Sequence, residues 1–360
     1  MTLRLALNAR FATRPMSGVD RVALELTRAV LALGDGVDIV GLAPNRPLLT
    51  DLPVSIARGR LKGQAWEQLE LPWARGDRLL FSPCNTGPMM VRDQAVLIHD
   101  AQPWLQPEAY SLAFRAWYRL LLPRLARRAR VVLTISDYSR SQLERFGIVP
   151  PGKAQVVPNG ADHILRIIPD PDTLARHNLV PGGYLLALGN LSPHKNLTRL
   201  MRAAAARPVG QAPLVIAGGG NSRVFVDAGL EPPPGVRLLG RVSDGELRAL
   251  YTHAMAFVFP SLTEGFGLPP LEAMLCGCPT VVSSAGAIPE VCGGASRYVD
   301  PTDEAGWTRA MVDIQASLEL RQALIEKGLR RAARFTWARS AKILLEVLEN
   351  ATGRGAMFSP

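Results

Sequence analysis

Residues 256–275 combine three features in a fixed order: an apolar run, a glycine-containing loop and the start of a helix. The run Ala256–Phe259 is typical of a buried strand, and Leu271–Leu275 continues as a helix. Pro269 and Pro270 favour a helix start, because the N–H that proline lacks is not needed there. A chain built from repeated strand–loop–helix units of this kind is restricted to folds with parallel sheets.

The loop itself has the composition of a ligand-binding turn. Gly265 and Gly267 allow the backbone to approach a ligand closely or to take a positive φ. Glu264 lies on the loop, and we place Glu272 in the first turn of the following helix, whose free N–H groups favour an anion. The pattern predicts that one carboxylate meets a sugar and the other a ribose, with a diphosphate between them. The alternative is a tight turn in which Glu272 only complements the helix dipole.

The same alternation of short apolar runs and helical patterns occurs in both halves of the chain. With 360 residues, two domains of roughly 150–200 residues are expected. Each half predicts an α/β domain with a parallel, doubly wound sheet whose ligands bind at the carboxyl ends of the strands. The Pro- and Asp-rich segment Ile167–Asp172 is predicted to be the linker between the halves.

Composition excludes several other classes of protein. No apolar run approaches the roughly 18 residues that a membrane-spanning helix needs, and the interrupted N-terminal run is unlike a secretion signal. The four cysteines lack zinc-site spacing, so we expect reduced thiols and no metal. We expect a cytoplasmic protein. The net charge of +10, concentrated in the first half, is explained equally by phosphate-bearing ligands, an anionic membrane surface or nucleic acid.

Three polar positions stand at predicted strand ends. Gly18 lies in a loop after the first strand, His99 follows the strand Ala95–Ile98, and Lys195 comes immediately before a helix start. Each has an ordinary alternative: Gly18 a plain turn, His99 a structural histidine and Lys195 a solvated surface lysine. Because the carboxyl ends of parallel strands form the ligand edge of such sheets, all three are candidate site residues.

A separate segment, residues 114–130, is strongly basic. It has six arginines, and no acidic residue occurs between Ala109 and Ser136. We expect Pro123 to kink or split the helix. Arginines beside tryptophan, tyrosine and leucines suit the headgroup layer of an anionic membrane, although an apolar stripe packed on the sheet with solvated arginines is the alternative. The predicted membrane or acceptor contacts are Arg115, Arg119, Arg124, Arg127 and Arg128.

Taken together, these motifs resemble the retaining glycosyltransferases of family 4, which have the GT-B fold. The Glu-x7-Glu stretch and the Lys-Asn-Leu loop are the most specific, and the resemblance extends over nearly the whole chain. The residues that carry it are Glu264 and Glu272, Gly189 through Leu197, Val157–Gly160, Pro289–Val291, Val299–Pro301 and the N-terminal strand–loop–helix with Gly18.

The resemblance implies two Rossmann-like domains facing a cleft. The acceptor-side domain would comprise residues 1–168 and the nucleotide-sugar domain residues 169–336. A helix in residues 337–360 would cross back to the first domain.

It also implies residue roles. Glu264, His99 and Lys195 would act on the transferred sugar and the leaving diphosphate, with no metal or other cofactor needed. The implied donor-binding residues are Glu272 for the ribose, Gly18 for the diphosphate, Asn190, and the backbone N–H groups of Phe266, Gly267 and Leu268.

Asn190 departs from the family pattern. Many members carry an arginine there as a second phosphate-binding cation, whereas a polar residue at this position is familiar in bacterial mannosyltransferases of surface polysaccharides. His194, Arg241 and Arg10 are candidates for the missing charge.

The resemblance therefore predicts a retaining, front-face transfer of a hexose from a nucleotide-sugar, with GDP-mannose the best guess. The acceptor would be a lipid-linked or growing glycan in cell-surface polysaccharide synthesis. The protein itself would lie peripherally on the inner face of the cytoplasmic membrane.

Other functions remain open at this point. A nucleotide-sugar epimerase on the same fold would interconvert free donors without an acceptor, and a phosphorylase would need a lysine-bound pyridoxal cofactor. A catalytically silent sugar-nucleotide-binding subunit is favoured only by Asn190. The arginine helix has no recognised nucleic-acid motif, so we expect no nucleic-acid partner.

Overall fold

The computed structural model describes residues 2–34, 36–52, 54–189, 192–218 and 232–353. Two compact units account for the chain. The first contains Met1–Gly160 together with Thr336–Pro360, and the second contains Ala161–Phe335.

The first unit is built on a seven-stranded, all-parallel sheet with the order β3-β2-β1-β4-β5-β6-β7. Its strands are short and mostly buried, which fits a sheet covered on both faces. They are β1 Leu3–Asn8, β2 Val37–Ala43, β3 Ile56–Arg58, β4 Leu79–Ser82, β5 Gln94–Leu97, β6 Val131–Thr134 and β7 Ala154–Val156.

Helices of the first unit connect these strands. They are α1 Gly18–Ala32, α2 Gly63–Ala65, α3 Leu71–Ala74, α4 Gln102–Leu105, α5 Leu112–Arg128 and α6 Asp137–Arg145. A π-helical turn, Trp66–Glu70, joins α2 to α3, and 3-10 turns span Ala9–Thr13 and Pro107–Ala109. The apolar stripe of α5 packs against the sheet through Leu121, Leu122 and Leu125.

Of the two effects predicted for Pro123, a kink or a split, the split does not occur, because α5 is a single helix from Leu112 to Arg128. The buried leucines on either side of the proline pack into one core cluster. Tertiary packing of this kind offsets the loss of one backbone hydrogen bond in a helix interior.

The second unit repeats the design with a six-stranded parallel sheet of order β10-β9-β8-β11-β12-β13. Its strands are β8 Leu185–Leu188, β9 Leu214–Ala217, β10 Val236–Gly240, β11 Ala256–Phe259, β12 Thr280–Ser283 and β13 Arg297–Val299. Its helices are α7 Thr173–Arg176, α8 Leu197–Ala205, α9 Asp244–His253, α10 Leu268–Leu275, α11 Ile288–Cys292, α12 Glu304–Ala316 and α13 Leu318–Ala332, with 3-10 turns at Asp162–Arg166, Pro193–Lys195 and Gly293–Ala295.

The last helix, α14 Trp337–Ala351, returns to the first unit and packs on α1. This is the return that the GT-B resemblance implied. Thr336 caps its N-terminus, and the buried side chains of Trp337, Leu344 and Leu348 face the unit's interior. The fold thus consists of two doubly wound α/β units, the first of which is completed by the C-terminal helix.

The segment Ile167–Asp172 is not the boundary between the units. The division falls after Gly160, and Asp170 donates its backbone N–H to the Gly245 carbonyl at 3.1 Å, within the second unit. Asp170 also pairs with Arg176. The Pro/Asp-rich composition therefore marks a packed turn, and the predicted boundary after residue 168 lies inside the second unit.

Candidate functional site

The strand order of the second sheet reverses between β8 and β11, and this is where the two predicted loops meet. In open α/β sheets, ligands bind in the crevice outside the strand ends at such a reversal. Lys195 follows β8 and Glu264 follows β11, and the Lys195 Nζ lies 2.7 Å from the Glu264 Oε1. The structure thus brings these two predicted residues together as a half-buried ion pair. Lys195 also lies over the Phe259 ring.

Asn196 fastens the loops that carry this pair, and sequence reasoning gave it no role of its own. Its backbone is left-handed, with φ 56°, a conformation that asparagine tolerates better than most residues. Its side-chain amide donates to the carbonyls of Pro260 and Pro301, at 3.1 and 2.7 Å. Asn196 therefore ties three predicted motifs together, because its partners lie in the loop after β11 and the loop after β13.

Gly286 packs against the backbone of Glu264. With φ +66°, a side-chain Cβ at this position would lie 2.6 Å from the Glu264 nitrogen and 2.8 Å from its carbonyl oxygen. The neighbouring Ala287 N–H donates to that same carbonyl at 3.0 Å. Glycine is therefore required here for the loop after β12 to pack against the backbone of Glu264.

Glu272 lies further along its helix than the sequence predicted. Helix α10 begins at Leu268, after Gly267 in the left-handed region with φ 108°, so Glu272 stands beyond the first turn and not within it. The sequence allowed Gly267 a positive φ, but it did not show that this conformation lets the helix begin before the prolines. The dipole-complement alternative fits this position poorly, because that effect falls off within the first turn.

Both carboxylate oxygens of Glu272 have buried partners. His163 Nε2 lies 3.1 Å from Oε1, and the Tyr251 hydroxyl donates to Oε2 at 3.3 Å. Burial and the nearby Glu272 carboxylate raise the pKa of Tyr251 far above its usual range, so the phenol stays a donor. A carboxylate offers about four acceptor sites, so two partners fix its orientation and leave others for a ligand.

The start of α10 presents fewer N–H groups than an ordinary helix. Pro269 and Pro270 have none, so the available donors come from Leu268 and the two residues before it. The Phe266 ring is buried against the ring of Phe335, with centroids 5.8 Å apart. Its side chain anchors the loop, which leaves the backbone of Phe266, Gly267 and Leu268 as the predicted ligand-facing part.

In the first unit, Gly18 is the first residue of α1 and not part of a loop. Ser17 caps the helix and forms a capping box with Asp20. A Cβ added to Gly18 would meet no protein atom within 4 Å. Packing within the protein therefore does not require glycine here, and the space beside it is open to a ligand.

His99 is buried at the carboxyl end of β5. Its Nε2 lies 2.8 Å from the Pro83 carbonyl oxygen, which can only accept, so Nε2 carries the proton. Burial lowers the pKa of His99 to about 4, against the opposing effect of the Pro83 bond. The ring is therefore neutral near pH 7, with the lone pair on Nδ1.

Asn190 lies outside the described residues. Of the candidates for its missing charge, His194 is unsuitable, because burial and the adjacent Lys195 lower its pKa. Arg10 is engaged by Glu67. Arg241 is exposed immediately after β10.

The five predicted contact arginines all lie on α5. Arg119, Arg124, Arg127 and Arg128 are exposed, and Arg115 is half-buried. Exposed apolar side chains accompany them, with Leu112 77% and Leu120 42% accessible. The apolar stripe packs on the sheet, as the alternative reading held, while most of the charge faces solvent.

The described residues contain neither a cluster of metal-ligand side chains nor a membrane-spanning helix. No set of three or more histidine, cysteine or acidic side chains is close enough there to hold a metal ion. No helix in the same residues has the length and apolarity to cross a membrane. All four cysteines are free thiols.

Two family models match the chain. Glycosyl transferases group 1 matches residues 176–331, and Glycosyltransferase Family 4 matches residues 95–164. Relatives include O-antigen chain mannosyltransferase B of Escherichia coli, 28% identical over 90% of this chain and 93% of its own. The O-antigen chain mannosyltransferase RfbU of Salmonella typhimurium is 28% identical over 69% of each chain.

Among solved structures, sucrose-phosphate synthase from Thermosynechococcus elongatus matches with a TM-score of 0.74 and 17% identity. The match covers 98% of this chain and 99% of the synthase chain. At that identity it supports the GT-B fold alone, and the relatives in sequence carry the information on activity.

Proposed function

Because the chain belongs to the family 4 glycosyltransferases of the GT-B fold, we propose that it transfers mannose from GDP-mannose with retention of configuration. The acceptor is a lipid-linked or growing glycan in cell-surface polysaccharide synthesis. Similarity to two O-antigen mannosyltransferases supports the sugar and the pathway. The observation that carries the proposal is the Lys195–Glu264 pair at the strand-order reversal of the second sheet.

In the proposed reaction, Lys195 stabilises the leaving nucleoside diphosphate. Its ammonium group has three donors, and one is engaged by Glu264, which leaves two for phosphate oxygens. Negative charge develops on the diphosphate as the bond from the sugar C1 to oxygen breaks. A positive charge fixed in advance lowers that barrier, so we propose that no metal ion is needed.

Glu264 and Glu272 divide the recognition of the donor. Glu264 accepts hydrogen bonds from hydroxyls of the transferred sugar, and its position is fixed by Lys195 and by the backbone contact at Gly286. Glu272 accepts from the ribose hydroxyls while His163 and Tyr251 hold it. The acceptor oxygen forms the new bond to C1 on the face that the diphosphate leaves, and a phosphate oxygen takes its proton.

We also propose that α5 holds the enzyme at the inner face of the cytoplasmic membrane. Four exposed arginines and the exposed Leu112 and Leu120 give this helix the composition of an interfacial segment. Each basic residue near an anionic surface contributes about 1 kcal/mol. Sedimentation with anionic and neutral vesicles tests this, and equal binding to both would contradict it.

A thermal-shift panel tests the donor. A ligand bound only by the folded chain raises the melting temperature by an amount set by its concentration and affinity. We expect GDP and GDP-mannose to raise it more than the UDP and dTDP counterparts at equal concentration. A larger shift with UDP-sugars would overturn the choice of base. Conversion of GDP-mannose to another nucleotide-sugar without acceptor would favour an epimerase.

A further inference from the structure

The sheet of the first unit has its own strand-order reversal, between β1 and β4, and polar side chains bridge it. Arg10 follows β1 in the 3-10 turn Ala9–Thr13, and Thr86 follows β4. The Arg10 Nη2 donates to the Thr86 hydroxyl at 2.9 Å. The construction parallels the Lys195–Glu264 pair of the second unit. By the same rule, this crevice is a place where an open α/β sheet binds a ligand.

Glu67 holds Arg10 in this position. Its side chain is completely buried and forms an ion pair with the Arg10 Nη1. Glu67 lies in the π-helical turn Trp66–Glu70, and such turns occur frequently at functional sites. Burial raises the pKa of Glu67, and the Arg10 guanidinium opposes that rise.

Neighbouring residues fix the π-helical turn at both sides of Glu67. Gln68 bonds to the Gly87 carbonyl and to the Met89 N–H, each at 3.0 Å. Glu70 accepts from the N–H groups of Arg60 and Leu61. Glu67 is therefore presented to Arg10 by a rigid element, which is what a positioning residue needs.

Charge balance indicates which ligand the crevice suits. Arg10 is offset by Glu67, and the nearby Arg14 pairs with the buried Asp20 at 2.5 Å. With no excess of positive charge, the cluster suits a neutral ligand better than a phosphate. A guanidinium has five N–H donors, and the Arg10 side chain is 16% exposed.

His99 follows β5, the strand that pairs with β4, and it adds an acceptor to these donors. Its neutral ring has an acceptor at Nδ1, because Nε2 donates to Pro83. Sugar hydroxyls both donate and accept. The carboxyl edge of this sheet therefore carries guanidinium donors after β1 and an imidazole acceptor after β5. Donors and an acceptor at one sheet edge match the hydroxyl groups of a sugar.

We infer that Arg10 contacts hydroxyl groups of a neutral sugar at the β1–β4 crevice and that Glu67 is the residue that positions Arg10 for this contact. The inference rests on the proposed function in one respect: it identifies that sugar with the uncharged glycan end of the acceptor.

The test uses the full chain and two readouts. The first is binding of methyl α-mannoside by ligand-observed NMR. The second is the KM for that acceptor and for GDP-mannose in a GDP-release assay. We expect Arg10→Gln to weaken sugar binding and raise the acceptor KM at least about tenfold, the effect of losing a hydrogen bond to a charged group. The donor KM should stay within about twofold of wild type. Glu67→Gln should shift the acceptor KM in the same direction by less.

Arg4→Gln is the matched control, because Arg4 lies on β1, the strand that leads into the turn carrying Arg10, and is also paired with an acidic residue, Asp77, but at the surface. It should change neither KM. Removing Arg10 alone leaves Glu67 buried without its partner, so Arg10→Met combined with Glu67→Leu gives a second variant without an unpaired charge. That variant should also lose methyl α-mannoside binding.

Three results would overturn the inference. One is that the wild type and both Arg10 variants bind methyl α-mannoside equally well, or that none of the three binds it. Another is a change confined to the donor KM. The third is tighter, salt-sensitive binding of mannose 6-phosphate, which would show that the crevice is a phosphate site. If the wild type binds methyl α-mannoside through Arg10 but releases no GDP from GDP-mannose, the site stands and the proposed function fails.

Discussion

Glu272 shows how a single carboxylate can be prepared for a ligand by its protein partners. His163 and Tyr251 approach different oxygens, and both are themselves buried. Glu272 as a whole residue is only 7% exposed. Its orientation is therefore fixed before a donor arrives, and less rotamer entropy is lost on binding.

We expect Glu272→Gln to weaken GDP-mannose binding about tenfold to hundredfold, because two hydroxyl bonds to a charged acceptor become bonds to a neutral amide. Isothermal titration measures this directly. Glu319→Gln, at an exposed position on α13, serves as the control. Unchanged affinity in the Glu272 variant would mean that the ribose binds elsewhere.

His99 gives a prediction about pH. Its pKa in the folded chain is about 4, below the roughly 6.5 of an unfolded chain. The unfolded state therefore binds more protons between these values, and stability falls as the pH drops through that window. Lowering the pH across this whole window reduces the free energy of unfolding by about 3 kcal/mol.

Replacing His99 with glutamine should remove this part of the acid sensitivity. Urea unfolding of wild type and variant at pH 7 and pH 4.5 measures it. The free energy of unfolding should fall more for the wild type than for the variant between pH 7 and pH 4.5. Parallel losses would show that His99 titrates normally in the folded chain.

At the scale of elements, the loops after β8, β11, β12 and β13 form one connected support for the Lys195–Glu264 pair. Asn196 ties the first loop to the second and fourth. Gly286 allows the third to contact Glu264. The precision of the site thus depends on backbone contacts between loops as well as on the charged side chains.

Gly286→Ala tests this support, with Gly277→Ala as its matched control. Both glycines have positive φ, 66° and 74°, so alanine strains either backbone by about 1 kcal/mol. Only at Gly286 would the new Cβ collide with Glu264, since nothing lies within 4 Å at Gly277. We expect Gly286→Ala to lose donor affinity and Gly277→Ala to keep it, as measured by titration. Equal affinities would show that this contact is not needed.

The sequence predicted elements better than it predicted their details. Periodic apolar runs located the strands of both sheets, because a buried parallel strand leaves a strong local signal. The start of α10 was misplaced because it depends on the positive φ of Gly267. Pro123 was predicted to kink or split α5, and tertiary packing keeps that helix from splitting.

The site was predictable in part for a related reason. Lys195 and Glu264 are 69 residues apart in sequence, yet both follow strands, so the parallel topology alone brings them together. The partners of Glu272 carry no comparable signal. His163 and Tyr251 reach it from a 3-10 turn and from α9, and no local pattern shows which buried side chains will meet.

At the scale of the whole molecule, the two units have parallel sheets built on the same plan. Each has its strand-order reversal bridged by a cation and an oxygen-bearing partner, Lys195 with Glu264 in one unit and Arg10 with Thr86 in the other. The first unit is completed only by α14, which packs on α1. The family models match both units, one in residues 95–164 and the other in residues 176–331.

Initial rates of GDP release from GDP-mannose, measured in EDTA with and without acceptor, test the central claim most directly. We predict acceptor-dependent release in the wild type, undiminished by EDTA, and an α-linked product by NMR. Lys195→Ala should slow release about 10²–10³-fold, the effect of removing one preorganised charge from a transition state. Release at the wild-type rate by Lys195→Ala, or release abolished by EDTA, would contradict the account.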